Sequence, residues 1–264
     1  MLRCLGRRAR VPALARSQVR CISDEHWFTY DEDLPAPSLL LPPNAPKERA
    51  TSQEGLEGGV LYRLPSFLLV FWTGDISQWR VPGQRDAIVA PANKKLNAGI
   101  GVNRGKNYLF FICSFTNHTC FLSPAIHNAA GPSLAEACAM LKSLDQFGVK
   151  CRIGNAVVTK AYRLPLHRII HAVGPAYDGA EETPTLLAQT YRRCLQRAKE
   201  IELECLAFPP ISCGVYGYPV REGARIALQE IKDPPSCINE IHFVLSDPSD
   251  YVTWVSEANN VLGY

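Results

Sequence analysis

The stretch Cys205-Leu206-Ala207-Phe208-Pro209, followed by Pro210-Ile211-Ser212-Cys213-Gly214-Val215-Tyr216-Gly217-Tyr218-Pro219, decides how this chain is read. Its first five residues are apolar without interruption. A strand with one wet face would alternate, so this run suits burial on both faces, with helices above and below a sheet. The next ten residues hold two glycines and end on a proline suited to the first turn of a helix. A strand that runs through a glycine loop into a helix gathers exposed backbone N–H groups and the positive end of a helix dipole at one point, which favours phosphate. Glycine also lets the backbone approach a pyrophosphate that a Cβ would hold off. One such loop is weak evidence alone, because tight turns use glycine for steric reasons too.

Working outward, the same apolar pattern recurs at Asp86–Ala90, Arg168–Val173 and Glu240–Leu245. Val60–Leu64 and Phe67–Trp72 are short apolar runs that can pair as neighbouring strands. Helical patterns lie between them. Ser133–Phe147 opens with Ser133 and Glu136 at capping-box spacing. Pro184–Ile201 places Leu187, Tyr191, Cys194, Leu195 and Ala198 on one face. Pro219–Ile231 starts with proline, and Ser249–Val261 offers Ser249 as an N-cap. Alternating strands and helices predict a three-layer α/β/α sandwich, whose ligand site lies beyond the strand C-termini.

Two further strand ends carry chemistry of the same kind. Phe67–Trp72 leads to Gly74-Asp75-Ile76. Asp86–Ala90 leads to Pro91-Ala92-Asn93 and then to Leu96-Asn97-Ala98-Gly99-Ile100-Gly101-Val102. Two glycine loops at one sheet edge, with an aspartate on a third strand end, point to a phosphate-bearing ligand far more strongly than either loop alone.

Composition restricts the rest. The 264 residues are 47% hydrophobic and 20% charged, ordinary for a globular chain able to bury a large core. The ten cysteines are scattered, with no CxxC pair and no zinc-ligand spacing, and read as reduced, buried small hydrophobes. Neither a metal nor a cofactor is expected. Arg3, Arg7, Arg8, Arg10, Arg16 and Arg20 fall in the first twenty residues without one acid. Setting those six aside takes the net charge from +3 to −3, which removes nucleic-acid backbones from the expected partners. Residues 1–22 read as a mitochondrial presequence, with a plastid or cytosolic location and a plain basic tail as alternatives. Residues 23–59, rich in Pro, Gly and acids from 31 onward, read as a linker, and residues 60–264 as the domain. No apolar run is long enough to span a membrane, so no membrane partner is expected. A monomer is expected.

GDI at 74–76, Asn93 after its strand, Ala125-Ile126-His127-Asn128-Ala129-Ala130-Gly131-Pro132, His171-Ala172-Val173-Gly174-Pro175 and Gly214-Val215-Tyr216-Gly217-Tyr218-Pro219 together resemble the macro domain, in that family's order, over roughly residues 60–255. The likeness is to its MacroD-type (Appr-1''-p processing) branch. It implies a mixed central sheet and a cleft for ADP-ribose or ADP-ribosylated proteins. It also implies hydrolysis of ADP-ribosyl esters: protein mono-ADP-ribose on Asp or Glu, O-acyl-ADP-ribose or ADP-ribose 1''-phosphate. By that resemblance Asp75 and Ile76 would hold adenine and Asn93 the distal ribose. Gly99, Gly101 and Val102 would form one phosphate loop. Ser212, Cys213, Gly214, Val215 and Tyr216 would form the other, with the Tyr216 ring over the ribose. His127 and His171 read as structural histidines, with a place in the cleft as the alternative.

Three departures bear on catalysis. Ala98-Gly99-Ile100-Gly101-Val102-Asn103 replaces a run of glycines, and Ile100 crowds a backbone that should approach phosphate. Ala90-Pro91 replaces an Asn and a small residue ahead of Asn93. Asn103 stands where the family carries an aspartate that positions or activates water, and an amide cannot act as a carboxylate base. Asn93 and Asn103 are therefore the candidate catalytic residues. A reader of ADP-ribosylated proteins without turnover is the alternative function. Residues 105–124 are an aromatic-rich insertion where the family runs straight on. Back-translation of Gly105-Lys106-Asn107 and Cys120–Ala125 permits splice-donor and acceptor consensus sequences in phase, so this segment reads as a translated intron.

Overall fold

The computed structural model describes residues 56–81, 84–97 and 122–264. Seven strands form one sheet: β1 (Leu56–Arg63), β2 (Leu68–Gly74), β3 (Asp86–Pro91), β4 (Asn155–Lys160), β5 (Arg168–Val173), β6 (Cys205–Phe208) and β7 (Glu240–Leu245). Their spatial order is β1-β2-β7-β6-β3-β5-β4. The inner strands β2, β7, β6, β3 and β5 are parallel, while β1 and β4 close the two edges antiparallel. The mixed sheet thus puts the C-terminal ends of five strands along one edge.

Its residues divide between two cores. On β2, Leu69 and Phe71 enter one core, and Val70 and Trp72 the other. On β6, Leu206 and Phe208 part from Cys205 and Ala207 in the same way. Both faces are dry, which is why these strands read as unbroken apolar runs. Helices α3 (Glu182–Glu200), α4 (Val220–Glu230) and α5 (Pro248–Leu262) cover the first face with Leu187, Tyr191, Ala227, Trp254 and Val255. Helices α1 (Leu122–Ala130) and α2 (Pro132–Met140) cover the second with Ile126, Ala130, Leu134 and Cys138. This is the three-layer sandwich expected from the alternation. No helix among the described residues is long and apolar enough to cross a membrane.

Several local expectations need correcting. β1 begins at Leu56 rather than Val60. β4, Asn155-Ala156-Val157-Val158-Thr159-Lys160, had not been read as a strand: it is a half-buried edge strand whose burial neither alternates nor stays continuous. α2 stops at Met140, short of Phe147, because the Lys150 ammonium folds back and donates to the carbonyls of Cys138 (2.7 Å) and Ala139, closing the helix end. Ser133 does not cap it. Gly131, at φ +82°, is the N-cap, and Pro132 takes the first turn. At α5 the cap is Asp247, whose Oδ1 accepts from the Ser249 N–H at 2.8 Å, in place of Ser249 itself. Leu122, Ser123 and Pro124, assigned to the insertion, form the first turn of α1. Residues 105–121 lie outside the described residues, as do residues 1–55.

Candidate functional site

The C-terminal edge of the parallel strands carries the described site residues. β2 ends at Gly74, and Asp75 caps a single 3-10 turn, Ile76–Gln78, its Oδ1 accepting from the Ser77 N–H at 2.8 Å. The carboxylate is exposed, while the Ile76 side chain is buried. The Ile76 N–H donates to no backbone carbonyl among the described residues. Asp75 and Ile76 therefore present a carboxylate and an N–H side by side, the pair that an aminopurine edge would engage.

β3 continues past Pro91 through an Ala92 N–H bond to the Ala172 carbonyl (2.9 Å), then turns at Asn93. The Asn93 amide is engaged at both ends: Oδ1 accepts from the Lys95 N–H at 3.0 Å and Nδ2 donates to Asn97 Oδ1 at 2.6 Å. This is an Asx turn that sets the exit of the strand. A role for Asn93 toward a ribose hydroxyl uses its second amide proton or a change of partner. Gly99, Gly101, Val102 and Asn103 lie outside the described residues.

The loop after β6 is tied at its two ends and open in the middle. The Ile211 N–H donates to the Tyr191 hydroxyl (3.1 Å), Cys213 N–H to the Pro210 carbonyl (3.2 Å), Gly217 N–H to Gly214 (2.8 Å) and Tyr218 N–H to Ser212 (3.0 Å). The N–H groups of Ser212, Gly214, Val215 and Tyr216 find no backbone carbonyl among the described residues. Successive free N–H groups in a tight turn make an anion-binding concavity, here just before α4. Cys213 differs from its expected part: its N–H closes a turn within the loop. Ser212 adopts φ +66°, a strained backbone for a non-glycine, and its buried hydroxyl has no partner among the described residues. The Tyr177 N–H donates to the Tyr216 carbonyl at 2.8 Å, binding this loop to the segment after β5. Tyr216 itself is half-buried and Val215 exposed, so the free N–H groups sit at the rim.

Sequence reading passed over Gly174 as a site residue. A Cβ at this position would overlap Ser212 Oγ and come 2.7 Å from Ile211 Cγ2, so the end of β5 must be glycine for the loop to close onto it. Gly223 in α4 serves the same purpose for Cys213, whose Sγ would stand 2.6 Å from a Cβ there. Burial and the nearby Asp250 carboxylate push the Cys213 thiol up to about 12. It stays protonated at neutral pH, which removes it as a nucleophile.

His127 and His171 are buried, as the structural reading held, with ring centres 6.0 Å apart. Burial lowers the pKa of both, and His171 falls to about 3 with a smaller contribution from His127. Both are neutral. A hollow lined by Arg80, Gln84, Asp86, Leu164 and His167 lies at the opposite edge, where β3 and β5 begin, away from the loops described above.

The family model of the macro domain matches residues 116–227. A macro domain-containing protein of Xanthomonas campestris is 39% identical over 163 residues, covering 61% of this chain and 77% of that protein. A protein of Salmonella newport named O-acetyl-ADP-ribose deacetylase is 39% identical over 161 residues, covering 61% and 75%. Among solved structures, the Oceanobacillus iheyensis macrodomain with ADP superposes with a TM-score of 0.63 at 29% identity, over 78% of this chain and 97% of that one. With its mixed seven-stranded sheet, its glycine-bounded loop beyond β6 and these relatives, the chain belongs to the macro domain family.

Proposed function

We propose that the chain binds ADP-ribose along the C-terminal edge of its sheet and hydrolyses ADP-ribosyl esters there. The observation that carries this is the row of N–H groups at Gly214, Val215 and Tyr216 that find no backbone carbonyl among the described residues, between anchored residues on either side. Diphosphate offers that row acceptors, and Gly214 at its head places no Cβ against them. Adenine would lie toward Asp75 and Ile76, at the end of β2, and the distal ribose toward Asn93 and Tyr216. The Salmonella relative's name and the ADP in the Oceanobacillus structure support the ligand class.

In hydrolysis one water adds across the ester. Its oxygen goes to the acyl carbon or to the anomeric carbon, the ester C–O bond breaks, and ADP-ribose and a free acid separate. Diphosphate and ribose contacts would hold that centre against the water, so positioning would supply most of the rate. Substrates of this kind are mono-ADP-ribose on Asp or Glu side chains, O-acyl-ADP-ribose and ADP-ribose 1''-phosphate.

A second reading, a reader without turnover, is favoured by one observation: both ends of the Asn93 amide are already bonded locally. The amide at Asn103 favours it too. Incubation with an auto-ADP-ribosylated acceptor separates them. Loss of label is expected for the enzyme, whereas retained label with co-precipitation of the acceptor would establish the reader. Absence of both, with no ADP-ribose heat in calorimetry, would overturn the shared ligand. We also propose that residues 1–22 direct import into mitochondria, on the strength of six arginines without an acid. Residues 1–40 fused to a fluorescent protein should reach mitochondria; a cytosolic or plastid signal would refute this.

A further inference from the structure

On the face of the sheet covered by α1 and α2, three side chains of metal-ligand type meet inside the core. His127 comes from α1, Cys138 from α2 and His171 from β5. All three are buried, and one donor atom of each lies within 4.8 Å of the others. Cys138 Sγ stands 3.8 Å from His171 Nε2. Nitrogen and sulfur donors on a tetrahedral zinc, at bond lengths of about 2.0 and 2.3 Å, are about 3.5 Å apart. A small side-chain adjustment would close the three donors onto one ion. Thr159 Oγ1 is hydrogen-bonded to the same His171 nitrogen at 2.9 Å, a bond that the ion would replace.

A second observation is independent of the clustering. His127 is nine-tenths buried and, among the described residues, its Nδ1 has no hydrogen-bond partner. Native interiors rarely leave a ring nitrogen in that condition, and an absent ion is among the standard reasons when they do. The spacing of these residues along the chain matches no compact zinc motif, which is why the sequence suggested no metal; only the packing of two helices on β5 assembles them.

We infer that His127, Cys138 and His171 form a buried three-donor site for a thiophilic divalent cation, with zinc the ion that a two-imidazole, one-thiolate donor set fits. Binding replaces the thiol proton: the Sγ–H bond breaks, a sulfur–metal bond forms, the proton passes to solvent, and no electron is transferred. The ion would pin α1 and α2 to β5, behind the sheet edge that holds the ligand loops. This inference does not rest on the ADP-ribose reading.

The test uses the full chain, prepared without chelators. Elemental analysis should find about one zinc per chain, and added Zn²⁺ should raise the Tm of chelator-stripped protein by several degrees. Cobalt(II) in place of zinc should give a thiolate-to-cobalt charge-transfer band. Cys138→Ser should abolish that band. Should Cys138→Ser fail to fold, His127→Leu decides. It removes the unpartnered nitrogen, so the stripped protein should melt at or above the parent's temperature while losing its response to zinc. Zinc well below one per chain, no cobalt band and an unchanged Tm on adding Zn²⁺ would overturn the site, leaving the three residues as a hydrogen-bonded core cluster.

Discussion

Gly174 and Ser212 meet so closely that a methyl group on the first would overlap the hydroxyl of the second. The end of β5 is thus the floor on which the loop after β6 rests. Gly174→Ala should push Ser212 and Ile211 outward, with the free N–H groups of residues 214–216 displaced with them. Overpacking of this kind costs about 1–3 kcal/mol. We expect a lower Tm and ADP-ribose affinity reduced by at least about tenfold, the equivalent of about 1.4 kcal/mol. Ser212→Gly in the same chain should restore part of both, since it removes the clashing hydroxyl and relieves the positive φ. Calorimetry and thermal melts read the two effects. No recovery in the double variant would show that the contact with Ile211, not Ser212, sets the loop.

Asp75 does two jobs that a pair of variants can separate. Its Oδ1 caps the turn at Ser77, while the carboxylate stands exposed at the end of β2. Asp75→Ala should weaken ADP-ribose binding by roughly 1–3 kcal/mol, the range for a lost hydrogen bond to a charged group. It should also cost up to about 1 kcal/mol of stability through the lost cap. Asp75→Asn keeps the cap and should lose affinity alone. Equal affinity for all three proteins would remove Asp75 from the adenine site.

How far the sequence could be read depended on the kind of signal each element carried. β5 and β7 have the bounds expected of them, and β6 ends one residue early, because strands buried on both faces are written as continuous apolar runs. β4 escaped because Ala156 and Val158 meet one core and Val157 the other while only Ala156 and Thr159 are buried, so its burial neither alternates nor runs unbroken. The end of α2 depends on Lys150, a residue beyond the helix, and no local propensity encodes that contact. The loops beyond β2 and β6 were legible as glycines at strand ends. The part played by Gly174 was not, since the atoms it must avoid belong to residues about forty positions later, brought there by parallel pairing through β3. The His127, Cys138 and His171 cluster was invisible for the same reason.

His242 gives the fold a definite response to acid. It is buried between Trp72, whose Nε1–H donates to its Nδ1 at 3.0 Å, and Glu240, whose Oε2 accepts from its Nε2 at 3.0 Å. Burial lowers its pKa, outweighing the opposing pull of Glu240. The folded chain therefore holds it neutral, whereas the unfolded chain protonates it near pH 6.5. Stability is full above that pH and is lost as pH falls below it, by up to about 1.4 kcal/mol per unit for one proton. Glu240, lowered by the His242 hydrogen bond, adds a loss of the same sign further into acid, below its ordinary value near 4.5. Urea melts between pH 7.5 and 5 should show the decline, and His242→Gln should flatten the part near pH 6. An unchanged slope would assign the acid response to other groups.

Asn103 tests the chemistry from the sequence side. If an aspartate at this point supplies base assistance, replacing it with an amide removes a factor of about 10²–10⁴. Asn103→Asp should then raise hydrolysis of an ADP-ribosyl ester by at least about tenfold, with ADP-ribose affinity little changed. A matched pair of single-turnover assays decides it. Identical rates would mean that water is positioned by other groups, or that the site only reads its ligand.

Residues 105–124 are expected to be dispensable for the fold. Splicing between the codon of Gly105 and that of Ala125 would join Arg104 directly to Ala-Ile-His in frame. The structure shows what that deletion would cost. Leu122, Ser123 and Pro124 form the first turn of α1 and are half-buried, and only Leu122 packs against the core. The residues that seat the helix, Ile126, His127 and Ala130, all lie beyond the junction and are buried. A chain lacking 105–124 should therefore fold, keep α1 on the sheet and bind ADP-ribose at least as tightly as the full chain. Mature messenger should include a spliced form without these twenty codons. Transcripts that all retain the segment, together with a shortened chain that fails to fold, would establish residues 105–124 as part of the protein.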